Sequence, residues 1–417
     1  MIALLLTLSA ADYATQIAPL LHAKCAGCHR PGEVAPFPLL TYTDAKSHAA
    51  EIAKVVERNI MPPWKAVEGD FAGSRALTAK EKELIVDWAK AGAPRGNPAK
   101  EPAPPVFKTG WQLGEPDIVL EMPVAFEVPA GGNDLYQCFV IPVAVAGYVK
   151  AWEFQPGARD TVHHSLFFTD GSRTARKRAA DTGTYSCFGV PGFLPSGSLG
   201  GWSPGFAPFQ SPAGTASRIQ PGHDLVMQIH YHPSGKPEKD RSRIGLYLTK
   251  DPPPKRIVDI ALVSKAIDIA PGDAAYKVTD YFTIPIDVDV VGLIPHAHYI
   301  CKRMIGWATL PNGKKRTLIR IDDWDFNWQE QYYYRQPMRL PAGTKVEMEF
   351  IYDNSAANPR NPSNPPKRVE WGPDATDEMA GLHIQAIPVR MEELPELGRA
   401  LWGKIMRALG GFIPTTR

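Results

Sequence analysis

The chain has 417 residues, enough for two to four domains of ordinary size. With 44% hydrophobic and 22% charged residues it is not a disordered chain. Lys and Arg number 46 against 44 Asp and Glu, a balance that argues against a nucleic-acid-binding face, and Arg176-Lys177-Arg178 reads as a solvated loop.

The chain opens on MIALLLTLSAADYA, an apolar core with a small-residue end, as in a secretory signal without its basic leading segment. The alternative is a buried first helical turn; the run is too short to span a membrane. Residues 1–11 are therefore read as a signal remnant, and the expected location is periplasmic or secreted. From 12 to 97 the apolar spacing is helical in DYATQIAPLLHAKC and TDAKSHAAEIAKVVERNIM. LTAKEKELIVDWAKAG opens with Thr78 and Glu81 in capping-box positions and closes at Gly92. Prolines at 94, 98, 102, 104 and 105 follow, predicting a stiff extended linker over 98–111.

Beyond the linker the period becomes two. DIVLEM, DLYQCFVIPV, YVKAWEF, DLVMQIHYH and IGLYLTK are strand-like, and KDPPPKR separates them from a second strand-rich stretch. Asn312-Gly313 is a two-residue hairpin signal. The prediction is a multidomain chain: a small all-α domain over 12–97, then two all-β, jelly-roll-like sandwiches over 112–250 and 256–392. The tail, 393–417, reads as an amphipathic helix docked on its own domain, with membrane contact as the alternative.

Cys25-Ala26-Gly27-Cys28-His29 is C-x-x-C-H, the attachment signature of a c-type haem, with His29 as proximal ligand. A zinc half-site or a thioredoxin-like pair fits less well, because no second C-x-x-C and no βαβ pattern accompany it. Met61 is the only methionine between Met1 and Met122, and a thioether is a common second axial ligand. Residues 12–97 thus resemble a small class I cytochrome c, while His22 and His48 read as ordinary helix or surface histidines.

Eight of the eleven histidines lie beyond the linker, at 163, 164, 223, 230, 232, 296, 298 and 383. On a strand, His296 and His298 project from one face and can chelate one ion; His230 and His232 share that spacing. His163 and His164 are adjacent, which places them on opposite faces of a regular strand. Imidazole clusters suit copper, zinc, iron or nickel, and an added thioether tilts the choice toward copper.

HHSLFF, QIHYH, PHAHYI and DEMAGLHI, in that order, resemble the four metal motifs of the ascorbate-dependent type II copper monooxygenases, the family of peptidylglycine α-hydroxylating monooxygenase and dopamine β-monooxygenase. The resemblance covers about 112–392. It implies an electron-transfer copper on His163, His164 and His230, with His163 binding through Nδ1 and His164 through Nε2. It implies an oxygen-binding copper on His296, His298 and Met379, which would be the catalytic set. It also implies a Cys138–Cys187 disulfide, leaving Cys301 as a small buried residue. His232 is not a ligand in that family; His223 and His383 read as structural, and Met304 and Met348 as strand packing.

The activity implied is hydroxylation of a C–H bond of a small molecule with O2, electrons arriving from ascorbate, a periplasmic donor or the fused haem. Ile294 stands where peptidylglycine hydroxylases carry a carboxylate-gripping Arg, and Gly381 and His383 replace their Asn and Tyr, so a peptide substrate is not expected. DDWDFNWQEQYYY, 322–334, reads as strand packing rather than pocket lining. The rival is a non-catalytic periplasmic copper and haem protein for electron transfer or metal handling, against which Met379 argues.

Overall fold

The structure, a computed structural model, describes residues 11–187, 191–372 and 374–408. The signal reading of residues 1–11 lies outside the described residues apart from Ala11. The chain divides into two compact units. One comprises the residues up to Trp64, Gly73–Gln112 and Pro204–Phe206; the other comprises Lys65–Ala72, Leu113–Ser203 and the chain from Ala207 onward.

The first unit holds the α-helices Ala18–Lys24, Tyr42–Ser47, Ala49–Glu57 and Ala79–Lys90. The Thr78 hydroxyl accepts from the Glu81 N–H (3.2 Å) and the Glu81 carboxylate from the Thr78 N–H (2.6 Å), so the reciprocal cap starts the last helix as predicted. Tyr13, Ile17, Leu21, Ile52, Ile85 and Trp88 form its core. The proline segment is no free tether: Pro98–Lys100 makes a 3-10 turn, and the Arg30 guanidinium lies 4.1 Å from the Phe107 ring centroid.

The expectation of an all-α, cytochrome c-like domain over 12–97 is corrected. Among the described residues there are twenty-three strands and six α-helices, and the helices of this region run only 6 to 12 residues. The stretch after Pro62-Pro63 leaves the helical unit, and Ala66–Glu68 pairs antiparallel with Lys315–Ile321. The physical cause is two-fold. Tandem prolines end the helical path, and Phe71, 2% exposed, buries its ring 5.2 Å from Tyr332 and 5.0 Å from Tyr334.

The second unit carries two sandwiches, as the period-two pattern predicts. In the first, a sheet of Ser217–Ile219, Gly147–Gln155, Arg243–Thr249 and Ile118–Glu121, with Phe209–Gln210 beside Gly147–Gln155, packs on a second sheet. That partner runs Thr184–Ser186, Leu135–Pro142, Asp224–Tyr231, Val162–Asp170, Gly197–Trp202. Trp152 and Phe167 meet between them at 4.9 Å, and the Trp152 indole donates to the Leu199 carbonyl (2.7 Å).

The second sandwich opposes the sheet of Ala66–Glu68, Lys315–Ile321, Cys301–Thr309, Lys345–Tyr352 and Tyr276–Thr283 to the sheet of Val258–Ser264, Ala380–Pro388, Val288–His296 and Tyr332–Leu340. Gly306 lets the sheets close: a Cβ there would stand 2.4 Å from Leu382 Cδ2. Asn312-Gly313 turns the Cys301–Thr309 and Lys315–Ile321 hairpin, with Gly313 at φ +79°. The Leu394–Ala408 helix docks on its own unit through fully buried Leu397 and a Lys404 bond to the Tyr281 carbonyl (2.9 Å). Among the described residues no helix is long and apolar enough to cross a membrane.

Cys138 and Cys187 are disulfide-bonded, closing a sequence separation of 49 residues. Cys138 sits opposite Gln228, on the strand that carries Tyr136 opposite His230. Replacing both cysteines by Ala is expected to cost about 2–5 kcal/mol, read as a lower midpoint in reversible urea unfolding. An unchanged midpoint would show that the cross-link contributes nothing.

Candidate metal centres

The adjacent histidines reach one point because their strand is irregular. Along Val162–Asp170, His164 pairs with His230, yet the next partner of Tyr231 is Val162, so His163 is an extra residue inserted into the ladder. A bulge of this kind re-aims a side chain that the pleat would send to the other face. As a result the Nδ1 atoms of His163, His164 and His230 form a near-equilateral triangle with sides of 3.3, 3.2 and 3.2 Å. The point equidistant from its corners lies about 1.9 Å from each (side divided by √3), close to the ~2.0–2.1 Å of a metal–imidazole bond. The expectation that His164 binds through Nε2 is therefore corrected: the bulge turns its Nδ1 to the same point.

The surroundings prepare these rings as neutral ligands. Asp134 accepts from His230 Nε2 (2.7 Å) and from His232 Nδ1 (2.8 Å). The proton on His230 is thereby held at Nε2, which leaves the Nδ1 lone pair facing the triangle. Burial alone would raise the Asp134 carboxyl, but its bonds to His230 and His232 hold it down at about 2. Burial lowers His163 to about 4, with His230 adding to the effect, and pushes His164 well below the usual imidazole range. Tyr136 stacks on the His230 ring at 4.3 Å. Neither Asp134 nor Tyr136 has a motif to announce it; the only sequence signal is an acid at the start of the strand that pairs with QIHYH.

The second set lies in the other sandwich of the same unit. His296 and His298 have ring centroids 5.2 Å apart. The Nδ1 of His296 bonds the Gln329 side-chain oxygen (2.6 Å), which leaves its Nε2 for a ligand role, and the Nδ1 of His298 bonds the Asp377 carbonyl (3.1 Å). Glu378, fully buried, ties the backbone of this pair to the backbone at Met379. One of its oxygens accepts the N–H of His298 (2.8 Å) and of Met379 (3.1 Å); the other accepts Ile300 N–H (2.8 Å). Burial raises the Glu378 carboxyl to about 8 against the pull of these N–H groups.

His296 stands opposite Gly381 in the ladder, and Met379 immediately precedes that strand, Ala380–Pro388. Burial lowers His296 to about 4, and the same effect outweighs the bond to Asp377 at His298. His296 is also close enough to His164 for its charge to disfavour protonation there. Gln329 and Glu378 are functional neighbours that the motif reading does not single out, and Gln329 comes from the stretch read as strand packing.

His383 is paired with Asp259 (2.6 Å), His223 bonds Gln220 (2.5 Å), and Met304 and Met348 are buried on strands. Cys301 is a buried free thiol, and His22 bonds the Leu40 carbonyl (3.0 Å). In the first unit, Cys25 and Cys28 follow Ala18–Lys24 and are not disulfide-bonded, and His29 N–H bonds the Cys25 carbonyl (2.9 Å). The Nδ1 of His29 lies 3.0 Å from the Phe37 carbonyl, so Nε2 remains for iron. Met61 sits in the turn after Ala49–Glu57, its N–H on the Val55 carbonyl (3.2 Å), and Phe37 stacks between His29 (5.0 Å) and His48 (3.7 Å).

No family model and no curated protein matches the chain. Solved structures share only weak likeness. The infectious bursal disease virus Gx strain structure covers 66% of this chain and 72% of its own at 8% identity and a TM-score of 0.20. The major capsid protein P2 of bacteriophage PM2 covers 66% and 97% at 8% identity and 0.25, and the PBSX exported protein XepA 56% and 86% at 7% and 0.18. At these values the likenesses carry no argument about this chain.

Because burial depresses His163 and His296 to about 4 from an unfolded value of 6.5, the unfolded chain binds more protons between those values. The contribution of these two rings to stability is therefore complete above about pH 6.5 and falls as the pH drops toward 4, opposed in part by Glu378, whose raised carboxyl favours the fold at lower pH. Urea midpoints of the metal-free protein across that window are expected to decline steadily, and a flat profile contradicts neutral buried rings. Asp134→Asn, which leaves the three ligands in place, is expected to weaken metal binding at the triangle by about 10–100-fold in competitive chelation.

Proposed function

We propose that the protein is a copper-dependent monooxygenase that hydroxylates a C–H bond of a small organic molecule with O2. The observation that carries this reading is the triangle of Nδ1 atoms 3.2–3.3 Å apart, set in the same β unit as a His-x-His pair whose neighbour Glu378 tethers Met379. Three neutral nitrogens at that spacing repel one another unless a cation sits among them. Their donor chemistry fits copper: imidazoles in one centre, imidazoles with a soft thioether in the other. Copper bound at the two centres would supply one-electron storage at His163, His164 and His230 and oxygen activation at His296, His298 and Met379.

The protein's own groups prepare both centres. Asp134 orients His230, and Gln329 and the Asp377 carbonyl orient His296 and His298. Burial lowers His163, His164, His296 and His298, which reduces the competition of protons with a metal at those rings. The closeness of His164 and His296 supports electron passage from one centre to the other.

Cys25, Cys28 and His29 fit a covalently attached c-type haem through two cysteines outside any disulfide and an imidazole with its Nδ1 already engaged; Met61 is the proposed second ligand. The haem would supply a one-electron relay alongside or in place of ascorbate. This part of the reading rests on the motif and donor set alone. The disulfide and the haem motif together support a periplasmic or secreted location.

The test is metal and haem analysis followed by reductant-driven oxygen uptake, with a mass-spectrometric screen for products one oxygen heavier. Two coppers, one haem and a hydroxylated product are expected. Met379→Leu should lower oxygen uptake by at least the about 10–100-fold that loss of an outer partner costs, while copper at the triangle is retained. Full metal loading without uptake on any substrate would favour the electron-carrier reading. Haem reduced anaerobically is expected to pass electrons to Cu(II) in stopped flow; failure to do so removes the relay.

A further inference from the structure

A cleft of about 480 Å³ opens beside His298, lined by Tyr299, Asp325, Phe326, Asn327, Arg360 and Asn361 among others. Phe326 forms its inner wall, with its ring 5.6 Å from His298 and 4.5 Å from Tyr299. The Asp325 charge is felt at His163 and at Tyr299.

The ionic groups of this cleft form a chain of alternating sign. Arg360 bonds Asp323 at 2.7 Å, Asp323 bonds Lys65 at 3.0 Å, and Lys65 stands 3.6 Å from Asp325. The two middle members satisfy each other: Lys65 is 8% exposed and has a carboxylate on each side. The two ends are half-satisfied, and both line the cleft. Arg360 uses only Nη1, on Asp323 and on the Trp324 carbonyl (2.5 Å); its Nε and Nη2 make no hydrogen bond among the described residues. Asp325 accepts one backbone N–H, from Asn327 (3.1 Å), its ion pair with Lys65 is the longer of that lysine's two at 3.6 Å, and its charge is also felt at Arg360. One guanidinium edge and one carboxylate are thus presented side by side to an aromatic-walled cleft.

We propose that this cleft binds the substrate, and that the substrate is a zwitterion of the free amino-acid class. Its carboxylate would complete the open edge of Arg360, its ammonium would sit on Asp325, and its side chain would lie on Phe326 and Tyr299. A zwitterion closes the alternating chain without leaving either end charge uncompensated. A simple amine leaves Arg360 open, and a simple acid leaves Asp325 open. This inference rests on the monooxygenase reading for its chemistry, but binding itself is independent of turnover.

The experiment uses the copper-loaded full chain and calorimetric titration with a panel of free L-amino acids. For L-phenylalanine the comparison set adds phenethylamine and 3-phenylpropionate, which lack the carboxylate and the ammonium in turn. At least one amino acid is expected to bind, with each aromatic analogue weaker than its parent by about tenfold or more, the worth of one charged hydrogen bond. Asp325→Asn, which leaves Arg360, Asp323 and Lys65 paired, should erase the preference over the acid and spare the preference over the amine. Arg360→Gln should do the reverse.

Absence of amino-acid binding, or analogues binding as tightly as the parent, overturns the proposal from the wild-type protein alone. Selective binding without any oxygen uptake supports the cleft and overturns the monooxygenase. Oxygen uptake with no discrimination among the three compounds overturns the cleft and leaves the monooxygenase standing.

Discussion

Two neighbouring side chains on a regular strand diverge, and everything at the first centre depends on breaking that rule once. The extra residue at His163 shifts the ladder between Tyr231 and His230, and the shift brings a third imidazole to a point two others already face. Remove the bulge and the triangle becomes a pair. Bringing three neutral lone pairs together costs energy in the absence of a cation, and the surrounding sheet bears that cost through a fully buried strand, Asp224–Tyr231, and a disulfide on its neighbour.

A different device serves the second centre. His296 and His298 need no bulge, since alternation already aligns them, but Met379 belongs to a segment just over eighty residues later in the chain. Glu378 joins the two through one carboxylate oxygen shared by the N–H groups of His298 and Met379. A buried carboxyl saturated by backbone donors is a rigid clamp, because moving either segment would strand a polar group away from water. The neighbouring Gln329 and Asp377 then fix the direction of each ring.

Strands, turns and caps were legible because they are local. The Thr78–Glu81 cap, the Asn312-Gly313 hairpin and the alternating Lys345–Tyr352 strand follow from side-chain spacing and turn chemistry alone. The helical periodicity of 12–97 was real too, yet it misjudged the unit. Nothing within VEGDF tells where its strand partner lies, and the partner, Lys315–Ile321, is some 250 residues away. Burial of Phe71 among Tyr332 and Tyr334 is a tertiary reward that outweighs local preference.

The sequence by itself determined the two-sandwich portion, the inventory of imidazoles, thiols and thioether, and the spacing that pairs His296 with His298. Only the tertiary structure decided which nitrogen of each ring faces inward, which carboxylates hold them, and which charges of the 322–334 and 359–362 loops share a cleft. The reason is physical. Spacing along one chain fixes the face a residue occupies, whereas ring orientation and ionic pairing depend on groups that meet only when distant strands pack.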